Sequence, residues 1–594
     1  MVTREGKSGQ EGIKTVLNPN QQAAVNHGEG PLLITAGAGS GKTRTLTERI
    51  VHLLDSGVPG EKIVAITFTN KAAEEIRDRV LSKLKSRPDL ALPFLGTFHS
   101  FGAKLLRRGK SVFGRKTPFT IFDEDDSVRL IKKIIKDLNL PVKKYPAAQL
   151  KRTISRTKDE LADPDDLDPD FKPIFEMYES ELERQNAFDF DDLIEKAVRF
   201  LKSDRSLLED HHEAFTHFLV DEFQDVNTGQ YALVKLLASA SRNLSVVGDD
   251  NQSIFRFRGA DFRNFLNFER DWPEAKIVNL GENYRSTQTI VKTAGALIKN
   301  NKFQRPKEIW TNNEPGEPIK IIPAADPNEE AELVINDLLN RGLALEATAV
   351  LYRTNAQSRA LEQVLNFQSL PYRIYGGLKF YERKEIKDIV AALRAALNPR
   401  EEVSLERLKK TFRRETFNRV REKLAEASQD QAPSVLINRF LEAADYKNHL
   451  KDKFDNYEDR LENINELVSF ASNFASLEEF VERLSLLQAT DALGKTGSGG
   501  LKLMTIHLAK GLEFENVYLV GLTEGLLPHE RSLGQKEELE EERRLAYVAM
   551  TRAKKRLTLS FFATPSRFLG ELPEKLLELH RGPQRRFEDE IYVY

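Results

Sequence analysis

Short apolar runs alternate with stretches of helical periodicity along much of the chain. Seven runs have the length and apolar content of buried strands: PLLITAG, KIVAITFT, THFLVDEF, LSVVGDD, ATAVLYR, LKLMTIH and NVYLVGL. Strands that alternate with helices are typical of parallel sheets in α/β domains. Two long stretches, from about residue 110 to 190 and from about 384 to 490, contain helix formers instead and are predicted to be helical insertions.

Composition narrows the possible classes of protein. A chain of 594 residues exceeds what one hydrophobic core usually supports, which predicts several domains. No apolar run is long enough to span a membrane, and the polar N-terminus lacks the apolar core of a signal peptide. Cysteine is absent, which excludes disulfides and thiolate metal sites. We therefore expect a cytoplasmic protein, nucleoid-associated in a prokaryote. Because its net charge is −2, any contact with nucleic acid must use basic groups that are clustered locally.

The strongest chemical signal is AGAGSGKT at residues 36–43, between the predicted strand PLLIT and the helical pattern RTLTERIVHLL. This is the context of a P-loop, whose backbone N–H groups wrap phosphates. Lys42 would reach the β- and γ-phosphates, and the Thr43 hydroxyl would bind Mg²⁺. The predicted nucleotide-binding residues of this loop are Ala36, Gly37, Ala38, Gly39, Ser40, Gly41, Lys42, Thr43 and Arg44.

A second signal is FLVDEFQD at 218–225, an apolar run that ends in two acids. Asp221 could hold Mg²⁺, and Glu222 could orient and deprotonate the attacking water. Alone, this pattern is equally consistent with an ordinary strand end. Arg285 and Arg552 are candidates to sense the γ-phosphate, although each alone is typical of a surface arginine.

Residues 248–261, GDDNQSIFRFRGAD, combine acids and a glutamine with alternating arginine and aromatic side chains. The alternation alone favours an amphipathic edge strand. Next to a phosphate site, the same residues could hold a nucleic-acid strand, because aromatic faces stack on bases and arginines bind phosphates.

The motifs occur in one order along nearly the whole chain, from about residue 16 to 573. They are LNPNQQAAV (17–25), AGAGSGKT (36–43), AITFTNKAAEEI (65–76), GTFHSFG (96–102), DFDDLI (189–194), VDEFQDVNTGQ (220–230), VVGDDNQSIFRFRGAD (246–261), ENYRST (282–287), LYRTNAQSRALE (351–362), GGLKFYERKEIKD (376–388), LMTIHLAKGLEF (503–514), EEERRLAYVAMTRAKKRL (540–557) and PSRFLGELP (565–573). Together they resemble the UvrD, PcrA and Rep helicases of superfamily 1.

The resemblance implies an α/β fold with two RecA-like P-loop motor domains, each built on a parallel sheet and interrupted by a mainly helical insertion. The implied divisions are a flexible tail (1–15), a first motor domain (16–108 and 191–280) with its insertion (109–190), a second motor domain (281–383 and 496–575) with a shortened insertion (384–495), and a C-terminal tail (576–594).

The resemblance also assigns roles around ATP and Mg²⁺. Gln21 would read the adenine, Tyr284 would stack on it, and Glu513 would contact the sugar. Gln252 would contact the γ-phosphate and its water, and Arg285 and Arg552 would act as arginine fingers.

The implied partners are single-stranded DNA and its junctions with duplex DNA, with movement from 3′ to 5′ along the strand. The positions that match strand contacts are Phe68, Thr97, His99, Phe255, Phe257, Arg258, Arg353, Asn355, Thr505 and His507. Structural alternatives are that Phe68 belongs to the core and that His99 is a satisfied buried histidine. RNA remains possible as the track.

The chain departs from the family in three places. IFRFRGA replaces IYGWRGA, and only FFAT (561–564) stands where relatives insert a duplex-separating hairpin. In the second insertion, LKKTFRRETFNRVREKL replaces a glycine-containing turn that grips duplex DNA. The 21 residues after 573 are too few for the RNA polymerase-binding domain of some relatives.

We therefore predict an ATP-dependent 3′-to-5′ translocase and DNA helicase, working with repair or replication-restart proteins. The alternatives are a translocase that displaces proteins with little unwinding and a nucleotide-dependent DNA clamp.

Overall fold

The computed structural model describes residues 17–580, except for 86, 88–89, 110, 142–143, 146, 257–258, 355–356, 376–382, 426–430, 454–456, 458–459, 462–463, 465–466, 469–470, 473 and 488–499. Three predicted DNA contacts, Phe257, Arg258 and Asn355, therefore lie outside the described residues. The predicted N-terminal tail (1–15) lies outside them too, and the C-terminal tail is described only as far as residue 580.

The described residues form two large sheets and two small ones. In chain order the strands are β1 (Leu32–Ala36), β2 (Ile63–Thr67), β3 (Phe94–Thr97), β4 (Ser111–Val112), β5 (Arg115–Lys116), β6 (Thr120–Phe122), β7 (Ala187–Asp189), β8 (His217–Val220), β9 (Leu244–Gly248), β10 (Lys276–Leu280), β11 (Ile319–Ala324), β12 (Thr348–Tyr352), β13 (Tyr372–Ile374), β14 (Leu501–Thr505), β15 (Phe514–Leu519), β16 (Ala553–Phe562) and β17 (Leu577–Leu579). The seven predicted strand runs correspond to β1, β2, β8, β9, β12, β14 and β15.

Both large sheets are parallel, which confirms the predicted α/β class. The first has the order β10-β1-β9-β8-β2-β3, and the second has the order β13-β14-β12-β15-β16-β11-β17. In the first sheet, β1 pairs with β9 on one side and with β10 on the other, although both follow it by most of the first half of the chain. The carboxyl ends of β1, β8 and β9 meet at one edge, where open α/β sheets bind ligands.

Helices cover these sheets and fill the segments between them. The longer helices are Pro19–Val25, Lys42–Asp55, Asn70–Lys83, Phe98–Arg107, Glu124–Asp137, Ala147–Asp159, Lys172–Arg184, Asp192–Ser203, Arg205–Ala214, Thr228–Ala238, Gln288–Ile298, Pro327–Asn340, Ser358–Phe367, Lys384–Leu397, Glu402–Thr411, Arg414–Ala425, Pro433–Ala444, Tyr446–Lys453, Leu477–Leu487 and Lys536–Met550. Three single-turn helices are Arg263–Leu266, Phe268–Asp271 and Ile506–Ala509. No described helix is both long enough and apolar enough to cross a bilayer.

Helices Glu124–Asp137, Ala147–Asp159 and Lys172–Arg184, between β3 and β8, share one hydrophobic core, and the helices between β13 and β14 share another. The two groups also pack together. Arg394, almost fully buried, forms an ion pair with Asp126, and the Asn398 amide donates to the Gln185 carbonyl oxygen at 2.7 Å. Removing one partner of a buried ion pair is strongly destabilising, so this contact should fix the orientation of the two helical groups relative to each other.

Two departures from the family are visible as local structure. Helices Glu402–Thr411 and Arg414–Ala425 occupy the segment without the glycine turn. After β16 the chain turns at once: Ala563 adopts a left-handed φ of 53°, and the Glu524 N–H donates to the Thr564 carbonyl at 3.1 Å. Phe561 and Phe562 are thus the last residues of β16, and the chain bends at 563–564 with no inserted hairpin.

Candidate ATP and DNA site

The P-loop follows β1 and leads into helix Lys42–Asp55, as predicted. Gly39 and Gly41 have left-handed φ values of 67° and 83°, which favour glycine. A Cβ on Gly41 would lie 2.9 Å from the amide nitrogen of Gln21, which itself donates to the Ser40 carbonyl at 3.0 Å. Lys42 is the first helical residue, so phosphates in this loop would meet the N-terminus of the helix.

The segment that follows β10 closes over this loop. The Asn283 amide donates to the Ala38 carbonyl at 2.7 Å, and the Tyr284 N–H donates to the Gly39 carbonyl at 2.9 Å. A Cβ on Gly39 would lie 2.8 Å from the Arg285 Cβ. Asn283 was not among the predicted site residues, although its place in ENYRST could have indicated it.

The predicted adenine contacts lie beside the loop. Tyr284 is 46 % exposed, and its hydroxyl donates to Glu282 at 2.6 Å and accepts from the Asn18 amide at 2.7 Å. These bonds hold the edge of the ring and leave a face for stacking. Gln21 is buried, and its amide oxygen accepts from the Asn18 N–H at 3.1 Å. Both the nitrogen and the oxygen of the Gln21 amide are already hydrogen-bonded within the chain. Recognition of adenine by Gln21 therefore stays a prediction, and it requires one of these bonds to be replaced by a bond to the base.

Asp221 and Glu222 follow β8, with Glu222 in a left-handed conformation at φ 50°. The Glu222 N–H donates to Asp221 Oδ1 at 2.9 Å, and the Gln224 amide donates to Glu222 Oε2 at 2.5 Å. Burial, with the Glu222 charge, raises the pKa of Asp221 to about 7. Burial also acts to raise the pKa of Glu222, but the charges of Lys42 and Lys510 outweigh it and lower that pKa.

These shifts fit a divalent cation. Burial and a nearby like charge both destabilise the ionised form of a carboxyl group. A bound cation stabilises that form and so compensates for both effects. Thr43 and Asp221 would hold Mg²⁺, which would neutralise charge on the phosphates, whereas Glu222 stays ionised and able to accept a proton.

Gln252 and Arg552 join the two halves of the chain. The Gln252 amide donates to Asp249 Oδ2 at 2.6 Å, and its oxygen accepts from Arg552 Nη2 at 3.2 Å. Arg552 is 1 % exposed and also donates to the carbonyl oxygens of Val548 and Leu512. Burial, followed by the Arg285 charge, lowers the pKa of Arg552 to about 9.

Arg285 and Glu513 form an ion pair at 2.8 Å, and Glu513 also pairs with Lys554 at 2.8 Å. Arg285 donates in addition to the Thr551 carbonyl at 3.1 Å. The structure therefore brings together Arg285, Arg552 and Gln252 as predicted, but the roles of Arg285 as a finger and of Glu513 as a sugar contact stay predictions.

Two lysines in the cleft were not predicted. The Lys307 ammonium, 2 % exposed, bridges Asp249 and Asp250. Lys510 pairs with Asp225 and donates to the Gln252 carbonyl at 2.6 Å. Lys510 lies in the quoted motif LMTIHLAKGLEF, whereas no sequence signal indicated Lys307.

Four of the predicted DNA contacts converge at the carboxyl ends of both sheets. Phe68 stacks on Phe255 with ring centroids 5.7 Å apart, and Phe255 lies 6.5 Å from the His507 ring. Thr505 caps the short helix that carries His507. The Lys510 ammonium lies 4.8 Å above the Phe255 ring, so the aromatic cluster adjoins the nucleotide cleft.

Three other predicted DNA contacts have partners within the chain. The Thr97 hydroxyl caps helix Phe98–Arg107. His99 stacks on Phe190 at 3.8 Å, and burial lowers its pKa to about 4, so the ring is neutral at neutral pH. Arg353 makes a bidentate ion pair with Glu542, the closest contact being 2.8 Å. DNA contact by these residues stays a prediction, which for Arg353 requires sharing or release of Glu542.

We expect Phe68→Ala to weaken binding of single-stranded DNA by roughly tenfold, because one stacked base is worth about 1–3 kcal/mol. ATP hydrolysis without DNA should be unchanged. Fluorescence anisotropy with an oligonucleotide measures the first effect and a basal ATPase assay the second. Phe367→Ala, at a phenylalanine that is 90 % exposed, is the control. Equal DNA affinity of both variants would assign Phe68 to packing alone.

Comparison with known proteins gives the same picture over almost the whole chain. The family model of the UvrD/REP helicase N-terminal domain matches residues 17–273, and that of the UvrD-like helicase C-terminal domain matches 278–457 and 435–564. The ATP-dependent DNA helicase PcrA of Bacillus subtilis (strain 168) is 39% identical, over 95% of this chain and 86% of that protein. The ATP-dependent DNA helicase UvrD1 of Mycobacterium tuberculosis (strain ATCC 25618 / H37Rv) is 38% identical, over 95% and 86% respectively. From this agreement of site, fold and sequence, the chain belongs to the UvrD/REP helicase family.

Proposed function

We propose that this chain is an ATP-hydrolysing DNA helicase that moves from 3′ to 5′ along single-stranded DNA. One observation carries the proposal: Gln252 and Lys510 connect the hydrolytic site to the aromatic cluster. Gln252 bonds to Arg552 through its side chain and to Lys510 through its carbonyl, and Lys510 lies over Phe255. Loss of the γ-phosphate would change the contacts of Gln252 and Arg552, and that change would shift the Phe255 ring, which lies three residues after Gln252 and is proposed to stack on DNA.

ATP with Mg²⁺ is the proposed fuel. The loop at 36–43 would bind the phosphates, Lys42 would neutralise them, and Glu222 would take the proton of the attacking water. The buried Asp221 carboxyl, with its raised pKa, supports a cation at this point. We propose the same division into two motor domains and two insertions, with the boundaries given in the sequence analysis.

Opening of duplex DNA is proposed to be weak in the isolated protein. Strand separation needs an element that stands between the DNA strands, and β16 ends in only a tight turn at 563–564 where such an element would be inserted. The polarity is supported by the family resemblance alone, so it must be measured.

We expect slow displacement of a strand from a 3′-tailed duplex beside a strong stimulation of ATPase by single-stranded DNA. The ATPase rate and the strand-displacement rate are measured in the same buffer, with a 5′-tailed duplex as the control for polarity. Fast, processive displacement by the monomer would show that the tight turn does not limit unwinding. Displacement from the 5′ tail alone would reverse the proposed direction.

The same turn favours a second candidate, a translocase that clears proteins from DNA. Release of streptavidin from a biotinylated strand, without strand displacement, would support it. A nucleotide-dependent clamp fits less well, because Lys42, Glu222, Arg285 and Arg552 are all present. We also propose a cytoplasmic, nucleoid-associated role with repair or replication-restart proteins, consistent with the family resemblance.

A further inference from the structure

A cavity of about 320 Å³ lies at the edge of the first sheet opposite the P-loop. Glu61, Phe94 and Phe215 line it from the amino ends of the adjacent strands β2, β3 and β8, respectively. Lys104 and Arg108 line it from helix Phe98–Arg107 and its C-terminal cap. Nucleotide and DNA sites lie at the carboxyl ends of the strands, so this cavity is separate from both.

The lining is net basic: Lys104 and Arg108 share it with one carboxylate, Glu61, which pairs with neither of them. The Lys104 ammonium lies 5.2 Å from the Phe94 ring centroid, and the Arg108 guanidinium lies 5.3 Å from that of Phe215. Among the described residues neither cation has a carboxylate within ion-pair distance. Their i, i+4 spacing places like charges side by side, which is unfavourable on a helix. Burial, with the Arg108 charge, lowers the pKa of Lys104, which is the sign of a cation without a counter-charge.

The walls between these cations are apolar. Leu92 is 43 % exposed at the rim, and Pro93 and Phe94 continue the wall inward. Arg77 adds a third basic side chain, whose guanidinium donates to the Leu95 carbonyl at 3.1 Å. A ligand that matches this surface has both an anionic group and an apolar body, because either one alone leaves half of the lining unsatisfied.

We propose that this cavity is a docking site for an acidic, apolar segment of a partner protein. Carboxylates of the segment pair with Lys104 and Arg108, and a leucine or aromatic side chain packs against Leu92 and Phe94. Clusters of basic groups are a common means of recognising acidic motifs, and desolvated aromatic anchors carry much of the affinity of small interfaces.

A peptide fits this site better than a nucleic acid does. A phosphate backbone calls for a stripe of cations along an open surface, whereas this site is a concave pocket with apolar walls. Since the pocket is remote from the carboxyl edge of the sheet, a docked partner would leave the track and the ATP cleft free. The site therefore allows the motor to be recruited while it works.

The test uses the full chain and an array of short synthetic peptides that mix Asp and Glu with Leu and Phe. Fluorescence anisotropy of the peptides bound best is then repeated with the double variant Lys104→Ala, Arg108→Ala. We expect a loss of affinity of at least roughly tenfold, because two counter-charges disappear. Matched peptides with Gln and Asn in place of the acids should not bind. The melting temperature and the DNA-stimulated ATPase should not change.

A second double variant, Arg156→Ala with Arg205→Ala, removes two exposed arginines that each pair with a glutamate four residues on. It should bind the peptides as the unmodified chain does. The proposal is overturned if no peptide binds or if both double variants lose affinity equally. It is also overturned if duplex DNA displaces the peptides and itself binds the Lys104, Arg108 variant at least tenfold more weakly, since the pocket would then serve nucleic acid.

Discussion

Arg552→Ala is expected to lower the turnover number of the DNA-stimulated ATPase by about 10³–10⁵-fold, the range known for arginines that stabilise phosphoryl transfer. Arg552 is buried in the cleft, hydrogen-bonded to Gln252, and held near a second guanidinium, Arg285. Arg285 is paired with Glu513, whereas the Arg552 guanidinium hydrogen-bonds only neutral oxygens, so Arg552 is placed to meet the charge that develops on a transferred phosphoryl group. Steady-state ATPase measurements at saturating DNA give the effect on turnover.

Three comparisons make this result specific. Arg556→Ala removes an arginine four residues further on, in β16, that pairs with Glu317 outside the cleft, and it should leave turnover intact. Arg552→Lys keeps a charge but loses the planar fork, so an intermediate rate is expected. Binding of a fluorescent ATP analogue and the melting temperature should survive in Arg552→Ala. If turnover falls only in proportion to lost stability, Arg552 is structural.

The second large effect is expected from Glu222→Gln, which should reduce hydrolysis by about 10²–10⁴-fold, the usual contribution of a general base. The amide is nearly isosteric and can still accept the bond from Gln224, but it cannot take a proton from water. Single-turnover hydrolysis of bound ATP isolates this step. Affinity for ATP and for single-stranded DNA should stay close to that of the unmodified chain.

The same substitution has a consequence for the neighbouring acid. Burial is the main cause of the raised pKa of Asp221, but the Glu222 charge adds to it, so removal of that charge should lower the pKa and increase the ionised fraction of Asp221 at neutral pH. Binding of Mg²⁺ should then be unchanged or tighter, which titration with the metal and ATP can measure. Glu213→Gln, at an exposed position, is the control. Unchanged hydrolysis in Glu222→Gln would exclude it as the base.

Local signals predicted the parts of the site that are continuous in sequence. The P-loop needs only a strand, small residues and a helix start, all of which are present between residues 32 and 55. Strands with apolar side chains on both faces, such as β1 and β9, were equally evident. β3 was missed because FLGT is short and contains a glycine, and β10 because Lys276 and Ile277 are exposed at a sheet edge.

Contacts between distant segments could not be predicted in this way. The bond between Gln252 and Arg552 joins residues 300 positions apart, and the pairing of Arg353 with Glu542 spans 189. Lys307 became significant only when the fold buried it between two aspartates. The edge-strand interpretation of GDDNQSIFRFRGAD was wrong for its described part, because residues 250–252 form a helical turn and 253–256 contain no strand.

The position of β1 between β9 and β10 sets an order on how the nascent chain can fold. When the P-loop leaves the ribosome, both strands that must flank β1 are still to be synthesised, and the whole helical segment between β3 and β8 comes first. Closing such long loops is slow and leaves apolar strands exposed meanwhile. The helical segment, with a core of its own, can collapse earlier and bring β8 and β9 towards β2. The phosphate-binding loop is thus made early, but the sheet that positions it is complete only after β10, more than 200 residues later, has been synthesised.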